Sequence, residues 1–350
     1  MAQSAGRQTA FEACDRVNEI RRIADPKGPR RGAAAVVAEE KNVMRKLIVL
    51  LVTLSASIGV ASVARGGGQD AGTANALRGA IDIHVHSEPD SRPRSVDAVE
   101  AARQAKANGM RAIVIKNHYE FTSGLAYIVR KQVPGIDVFG GVDLNLTVGG
   151  INAAAVEYMA ATTGGFGKMV WMPTFDAENQ VRFSKENRPF VSVSKGGALV
   201  PAVTDVIASI AKHNLVLATG HSSAEEGLML LREGRRQGVR QMVVTHAMNE
   251  PIVMSVPQMQ EAAKLGAFIE FVGGNVGDQG GPARMDRFAD AIKKIGPEFC
   301  ILSSDLGQRG NPLPAPGFGA FLAAMRARGL SEQDVDRMSR RNPATLLGLQ

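Results

Sequence analysis

Five of the six histidines in this chain stand where they could share one task. His84 and His86 form a His-Val-His tripeptide, His118 follows Lys116-Asn117, and His221 and His246 sit singly in Gly220-His221-Ser222 and Thr245-His246-Ala247. Residues two apart on a strand face the same way, so His84 and His86 can grip one cation from a single strand end. Imidazole suits zinc, iron and related divalent metals, and a hard carboxylate completes such a shell. A catalytic metal keeps one position open for water and lowers the pKa of that water toward neutrality. A nearby carboxylate then takes the proton and returns it to the leaving group. Asp305, in Ser303-Ser304-Asp305, is the candidate for that role. One divalent ion is expected, zinc first, with Lys116 and His118 as further candidate ligands and a second ion left open. Singly, each residue has an ordinary explanation: a surface His-x-His pair, a solvated lysine, an aspartate capping a turn. Their common placement carries the expectation.

Eight short apolar runs supply that placement. They are Ala80–His86, Arg111–Lys116, Ile136–Val142, Lys168–Met172, Leu215–Thr219, Gln241–Thr245, Ala267–Val272 and Phe299–Ser303. Short branched-apolar runs bounded by glycine signal buried parallel strands. Amphipathic stretches at Ser95–Asn108, Val200–His213, Ser223–Gln237, Pro257–Leu265 and Ala283–Ile295 alternate with them, the first opening on Ser95 as a capping residue. Eight such units predict an α/β protein, a (β/α)8 TIM-type barrel over residues 81–350. A doubly wound sheet would also alternate, but it requires no polar residue after every strand. In a barrel the chemistry sits at the carboxyl ends of the strands. Here His84 and His86 end the first strand, and Lys116 and His118 the second. Asp143 and Asn145 follow the third, His221 the fifth, His246 the sixth and Asp305 the eighth. Glu270 lies late in the seventh; it and Glu88 are expected to be structural. His213 falls on a helix tail, where the helix dipole accounts for it.

These motifs resemble the amidohydrolase superfamily. Ile81-Asp82-Ile83-His84-Val85-His86 is similar to its first-strand motif, Thr219-Gly220-His221-Ser222 to the fifth-strand histidine, and Val244-Thr245-His246-Ala247 to the sixth. Ser304-Asp305 resembles the eighth-strand aspartate, and Asn342-Pro343-Ala344 through Gly348 the closing motif. The resemblance spans residues 81–350 and is nearest to an uncharacterised amidohydrolase-like bacterial group. It implies a metal-dependent hydrolase with His84, His86, His221, His246 and Asp305 as ligands. Asp305 and His246 would be its catalytic residues, with Asp305 the proton shuttle. Two-metal members bridge their ions with a carboxylated lysine or a glutamate on the fourth strand. Here that strand ends Trp171-Met172-Pro173-Thr174, so a second ion requires Lys116, His118 or Asp143 to stand in, and carboxylation of Lys116 stays open. The opening also resembles the polymerase-and-histidinol-phosphatase (PHP) phosphoesterases. Ile115-Lys116-Asn117-His118 falls at their second-strand histidine and Gly141-Val142-Asp143 at an acidic ligand. The closing motif favours amidohydrolases.

Composition bounds the rest. The 350 residues are 45% hydrophobic, which suits one large domain or two small ones. The net charge of +7 divides into +2 over residues 1–43, +2 over 44–64 and +3 over 65–350, too weak and too dispersed to argue for a nucleic-acid partner, and none is expected. Cys14 and Cys300 are the only cysteines, so no disulfide framework or cysteine zinc site is spelled; Cys300, in an apolar run, is expected to be buried. Met44-Arg45-Lys46, an apolar core to Val60 and the small residues to Ala64 describe a secretory signal peptide over residues 44–64. An uncleaved anchor is the alternative. Residues 1–43 are then a disordered extension or an upstream misassignment of the start, and 65–80 a flexible lead-in. The mature protein is expected to be exported, periplasmic or secreted, to touch membrane only in transit, and to act on a small molecule; a homo-oligomer is compatible with this.

Specificity belongs to loops. Arg92 and Arg94, in the loop after His86, and Arg309 after Asp305 could clamp a carboxylate or phosphate, although a solvated loop is the ordinary explanation. The pairs Gly149-Gly150, Gly196-Gly197 and Gly273-Gly274 lack the Gly-Lys-Ser/Thr of a phosphate loop. The leading expectation is hydrolysis of an amide, lactam, lactone or ester. The alternatives are PHP-like phosphoester hydrolysis with three metals, metal-dependent decarboxylation, and an inactive periplasmic binding barrel. Intact mass of natively expressed protein is expected to place the mature N-terminus near Arg65; a terminus near Met1 would refute Met44 as the true start.

Overall fold

The computed structural model describes residues 76–274, 276–277 and 281–349. The extension, the signal segment and most of the lead-in lie outside the described residues. The last residues of the expected lead-in are ordered: Leu77 is fully buried, and the Arg340 guanidinium donates to the carbonyls of Arg78 (2.6 Å) and Ala76 (3.2 Å). Residues 76–80 therefore belong to the barrel, because an apolar side chain and two backbone carbonyls find partners there.

Eight parallel strands follow in sequence order: β1 (Ile81–Val85), β2 (Ala112–Ile115), β3 (Asp137–Asp143), β4 (Gly167–Trp171), β5 (Val216–Ala218), β6 (Gln241–Val244), β7 (Ala267–Val272) and β8 (Cys300–Ser303). The seam between β8 and β1 closes just beyond the strand ends. Asp305 N–H donates to His84 O (2.9 Å) and His86 N–H to Leu306 O (2.8 Å). The protein is a (β/α)8 barrel. The strand bounds agree with the sequence pattern to within a residue or two. The helix after β1, α1 (Ala98–Ala107), begins later than expected: Asp97, not Ser95, caps it by accepting from Glu100 N–H, while Ser95 N–H is tied to Gly307 O across the seam. Between β4 and the long helix α3 (Pro201–Lys212) the chain inserts a short helix, α2 (Glu178–Phe183), and a two-stranded hairpin, Ser194–Lys195 with Ala198–Leu199.

Two apolar layers hold this together. The inner one fills the barrel floor with Ile81, Ile83, Val114, Phe139, Met169, Trp171, Val243 and Ile301. The terminal helix, Asn342–Leu347, plugs it from below with Ala344, Leu346 and Leu347. Asn342 Nδ2 anchors that plug on Cys300 O (2.7 Å) and Pro297 O (2.9 Å). The outer layer packs strand residues such as Ile113 and Ile115 against the helices. Cys300 is fully buried, as its apolar run implied.

Alternation then sets the upper row. Lys116 lies two residues beyond inner Val114, and Asp305 four beyond inner Ile301. β1 needs a correction to reach the same face. Its pairing with β2 shifts register between Asp82 and Val85, so Ile81 and Ile83 stay inside while Val85 joins the outer layer. A bulge of this kind re-aims side chains, and it turns His84 and His86 into the barrel mouth. Among the described residues no helix is long and apolar enough to cross a membrane.

Gly307 closes the seam at φ 123°, and a Cβ there would fall 1.9 Å from His86 O. Gly307→Ala is expected to destabilise by at least ~1 kcal/mol in urea unfolding, because both backbone strain and collision oppose it. Unchanged stability would show that the seam yields freely.

Candidate metal centre

Ligand atoms of His84, His86 and Asp305 lie within 4.8 Å of one another. Asp305 Oδ1 is 3.3 Å from His84 Nε2 and 3.1 Å from His86 Nε2. Behind His84, Glu270 places Oε1 3.2 Å from Nδ1, while its Oε2 accepts from His246 N–H (2.9 Å). Burial pushes the Glu270 carboxyl up, but His84 and His246 outweigh it and hold it below the usual range. An ionised carboxylate only accepts, so His84 Nδ1 carries a hydrogen and its Nε2 turns a lone pair toward Asp305. Asp305 is ionised too: against its burial, His84 and His86 hold it well below the carboxylate range. Two acceptors facing each other across 3.3 Å demand a positive charge between them. In metal-free protein a proton supplies it. Burial lowers the His84 pKa, but Asp305 and Glu270 override that and raise it above its ordinary value. A divalent metal supplies the charge better, and two imidazole nitrogens with one carboxylate oxygen are a fitting donor set.

The backbone around this centre is under tension. Asp305 (φ 51°) and His246 (φ 27°) both adopt left-handed conformations that side chains disfavour. Asp82 clasps the seam below them. Its Oδ1 accepts from His84 N–H (3.1 Å) and Ser304 N–H (3.0 Å), and burial pushes its carboxyl up to about 6. Asp82 stood in the first-strand motif without an assigned role. The signal was an aspartate on a strand otherwise fully apolar up to the histidines.

The second-strand residues join the same site. His118 Nδ1 lies 3.0 Å from Thr174 Oγ1 and 3.3 Å from Asp143 Oδ2. Thr174 donates its hydroxyl to Asp143 (3.0 Å), so it accepts from His118 Nδ1–H and leaves Nε2 for the pocket. Asn145 Nδ2 braces this arm by donating to His118 O (2.6 Å). Lys116 is fully buried, with Nζ 3.6 Å from Asp143 Oδ2 and 5.5 Å from the Trp171 ring centre. Burial pushes the Asp143 carboxyl up to about 6, against the pull of Lys116. Trp171 occupies the fourth-strand end, as the sequence stated.

His221 and His246 complete the ring, with their Nε2 atoms 3.2 Å apart. Gln180 Oε1 accepts from His221 Nδ1 at 2.8 Å. Burial depresses His86 to about 3 and His246 to about 4, and takes His118 and His221 well below the ordinary value. Burial thus favours the neutral form of these four imidazoles, in which one ring nitrogen of each carries a lone pair and the other a hydrogen. His213 lies elsewhere, paired with Glu157 at 2.7 Å. Glu270 was the residue undervalued by sequence, and its role as a tether for His84 depends on a contact 186 positions away.

All five histidines, Lys116 and Asp305 line one pocket of about 680 Å³. Arg92, Arg94 and Arg309 line it too, but they differ. Arg94 is buried and bound to Asp90 through Nε (2.6 Å), so it frames its loop rather than standing free as a clamp. Arg92 and Arg309 are exposed. Phe175 and Gln180, contributed by the segment after β4, were not anticipated; nothing in their local pattern marks them.

A model of a family described as being of unknown function, DUF6282, matches residues 79–270. The chain belongs to that family. The DUF6282 match takes in the five pocket histidines and Glu270 and stops before Asp305. No curated protein matches the chain. Among solved structures, an amidohydrolase from Pseudomonas aeruginosa is similar with a TM-score of 0.54 at 13% identity, covering 80% of this chain and 98% of that one. The phosphotriesterase homology protein from Escherichia coli, complexed with phosphate in its active site, gives 0.52 at 16%, covering 77% and 99%. The dipeptidase AC, a metallopeptidase, gives 0.56 at 12%, covering 77% and 98%. At such identities the likeness establishes the shared barrel.

Metal binding is expected to be coupled to protons. His84 has its pKa raised, so it holds a proton that the metal must displace, and apparent affinity falls as pH falls. Zinc titration of chelator-stripped protein at about pH 6 and about pH 8 checks this. Equal affinities would show that His84 binds no metal.

Proposed function

We propose that this chain is a metal-dependent hydrolase of the amidohydrolase type, acting on an amide, lactam, lactone or ester bond. The convergence of His84, His86 and Asp305 at the carboxyl ends of strands, with His221 and His246 in the same pocket, carries the proposal. His84, His86 and Asp305 would hold the ion, with His221 and His246 completing its surroundings. A bound divalent metal, zinc first, supplies Lewis acidity and a water acidic enough to ionise near neutral pH. The protein's own groups do the rest. Glu270 fixes the His84 tautomer, and Asp82 fixes the backbone that carries it. Asp305, with its side chain 23% exposed to the pocket, is the group placed to accept a proton and pass it to a leaving group. His246 Nε2 is free to contact the reacting group once His221 is engaged elsewhere. Export through residues 44–64 would put this activity outside the cytoplasm.

Phosphoester hydrolysis is the second reading, favoured by His118 and Asp143 meeting at 3.3 Å. Lys116 beside Asp143 disfavours it, since an ammonium there competes with additional metal ions.

Elemental analysis is expected to find metal in the purified protein, and a panel of esters, lactones, amides and phosphoesters to show chelator-sensitive turnover of a carboxylic derivative. His84→Ala should lose the metal. Asp305→Asn should keep its fold and melting temperature while kcat drops by at least ~100-fold. Wild-type turnover in the Asp305 variant would remove its assigned role.

A further inference from the structure

Lys116 and Arg92, two of the cations that line the pocket, are held in place by their surroundings but are not used by the hydrolytic chemistry. Lys116 is 0% exposed, lines the pocket, and has no hydrogen-bond partner for Nζ among the described residues. Asp143 balances its charge from 3.6 Å but is too far to satisfy a donor. A buried ammonium carries three donors, and leaving them unmade is unfavourable, so the site is arranged for an acceptor that arrives from the pocket.

Arg92 is at the rim. Its guanidinium lies over the Phe175 ring at 4.0 Å and near Tyr119 at 5.8 Å. Among the described residues no carboxylate lies within ion-pair distance of it, in contrast to neighbouring Arg94, which is engaged by Asp90. Stacking orders the guanidinium plane and leaves its N–H edges free, the geometry that takes a carboxylate with two parallel hydrogen bonds. Phe175 in turn contacts His118 (ring centres 4.1 Å apart) and His221 (5.6 Å), so the shelf under Arg92 is fixed relative to the histidines.

We propose that the substrate of this pocket is a small carboxylate-bearing anion, with the Arg92 fork binding its carboxylate and Lys116 donating to a second oxygen deeper in. This rests on the pocket being the reaction site. Arg92 is then a specificity residue and Lys116 a positioning residue for the substrate.

The test is calorimetric titration of the zinc-loaded full-length protein with malonate, its neutral analogue malonamide, and inorganic phosphate. Malonate is expected to bind at least about tenfold more tightly than malonamide or phosphate. Arg92→Ala should weaken malonate by about ten- to a hundredfold at unchanged metal content, and Arg92→Lys should recover only part of that. Lys116→Gln should weaken malonate as well; if that variant fails to fold, the Arg92 pair, at an exposed position, still decides. Equal malonate affinity in Arg92→Ala and wild type, or equal binding of malonamide, overturns the proposal. Tighter binding of phosphate overturns the choice of carboxylate. Chelator-sensitive hydrolysis of neutral esters without Arg92-dependent anion binding would remove this inference and keep the hydrolase. Arg92-dependent anion binding without hydrolysis of any substrate would do the reverse.

Discussion

The organising constraint is the demand for positive charge between His84 Nε2 and Asp305 Oδ1, 3.3 Å apart in a buried seam. Glu270 makes that demand unavoidable by taking the hydrogen at His84 Nδ1. Two lone pairs facing one another repel, the more so because His84 is buried and only Asp305 opens toward the pocket. The structure resolves this with a proton or a metal ion, and the neutral imidazoles around it are suited to the second. The fitness of His84, His86 and Asp305 for a divalent ion therefore follows from local electrostatics that the closed seam creates.

That arrangement is affordable because the seam is held from several sides. Asp82 ties His84 N–H to Ser304 N–H, and the backbones of His84, Asp305, His86 and Leu306 are cross-bonded. Asp305 and His246 keep left-handed conformations that unaided side chains would leave. Below, the inner apolar layer from Ile81 to Trp171 supplies the burial that offsets both the strain and the desolvation of so many polar groups. The floor and the mouth of the barrel thus do opposite jobs with the same strands.

The polar groups also separate by charge state. Four imidazoles are pushed toward neutrality by burial, whereas Glu270 and Asp305 are held ionised by the histidines they face. Lys116 and Asp143 offset one another at the second and third strands. Five histidines and several charged groups therefore line one cavity of about 680 Å³ with opposite charges set beside one another.

Strand number, strand bounds and the barrel itself were legible in the sequence, because periodic apolar residues and glycine breaks act locally and each run reports on its own surroundings. The five pocket histidines were legible because each lies at or just beyond the carboxyl end of an apolar run, although the face that His84 and His86 take was not, since simple alternation from Ile81 and Ile83 would have turned them outward. The bulge in β1 was not legible, since register depends on the partner strand and not on Ile83 or His84 alone. Nor was the service of Glu270 to His84, the spacing of Lys116 from Asp143, or the difference between Arg92 and Arg94, two residues apart in one loop. Each depends on what a side chain meets after the chain has closed on itself. Sequence by itself determined which residues could do chemistry and which end of the barrel they would share. Only the tertiary structure decided which nitrogen carries the hydrogen, which carboxylate stays charged and which cation is left free, because those are properties of contacts between residues far apart in the chain.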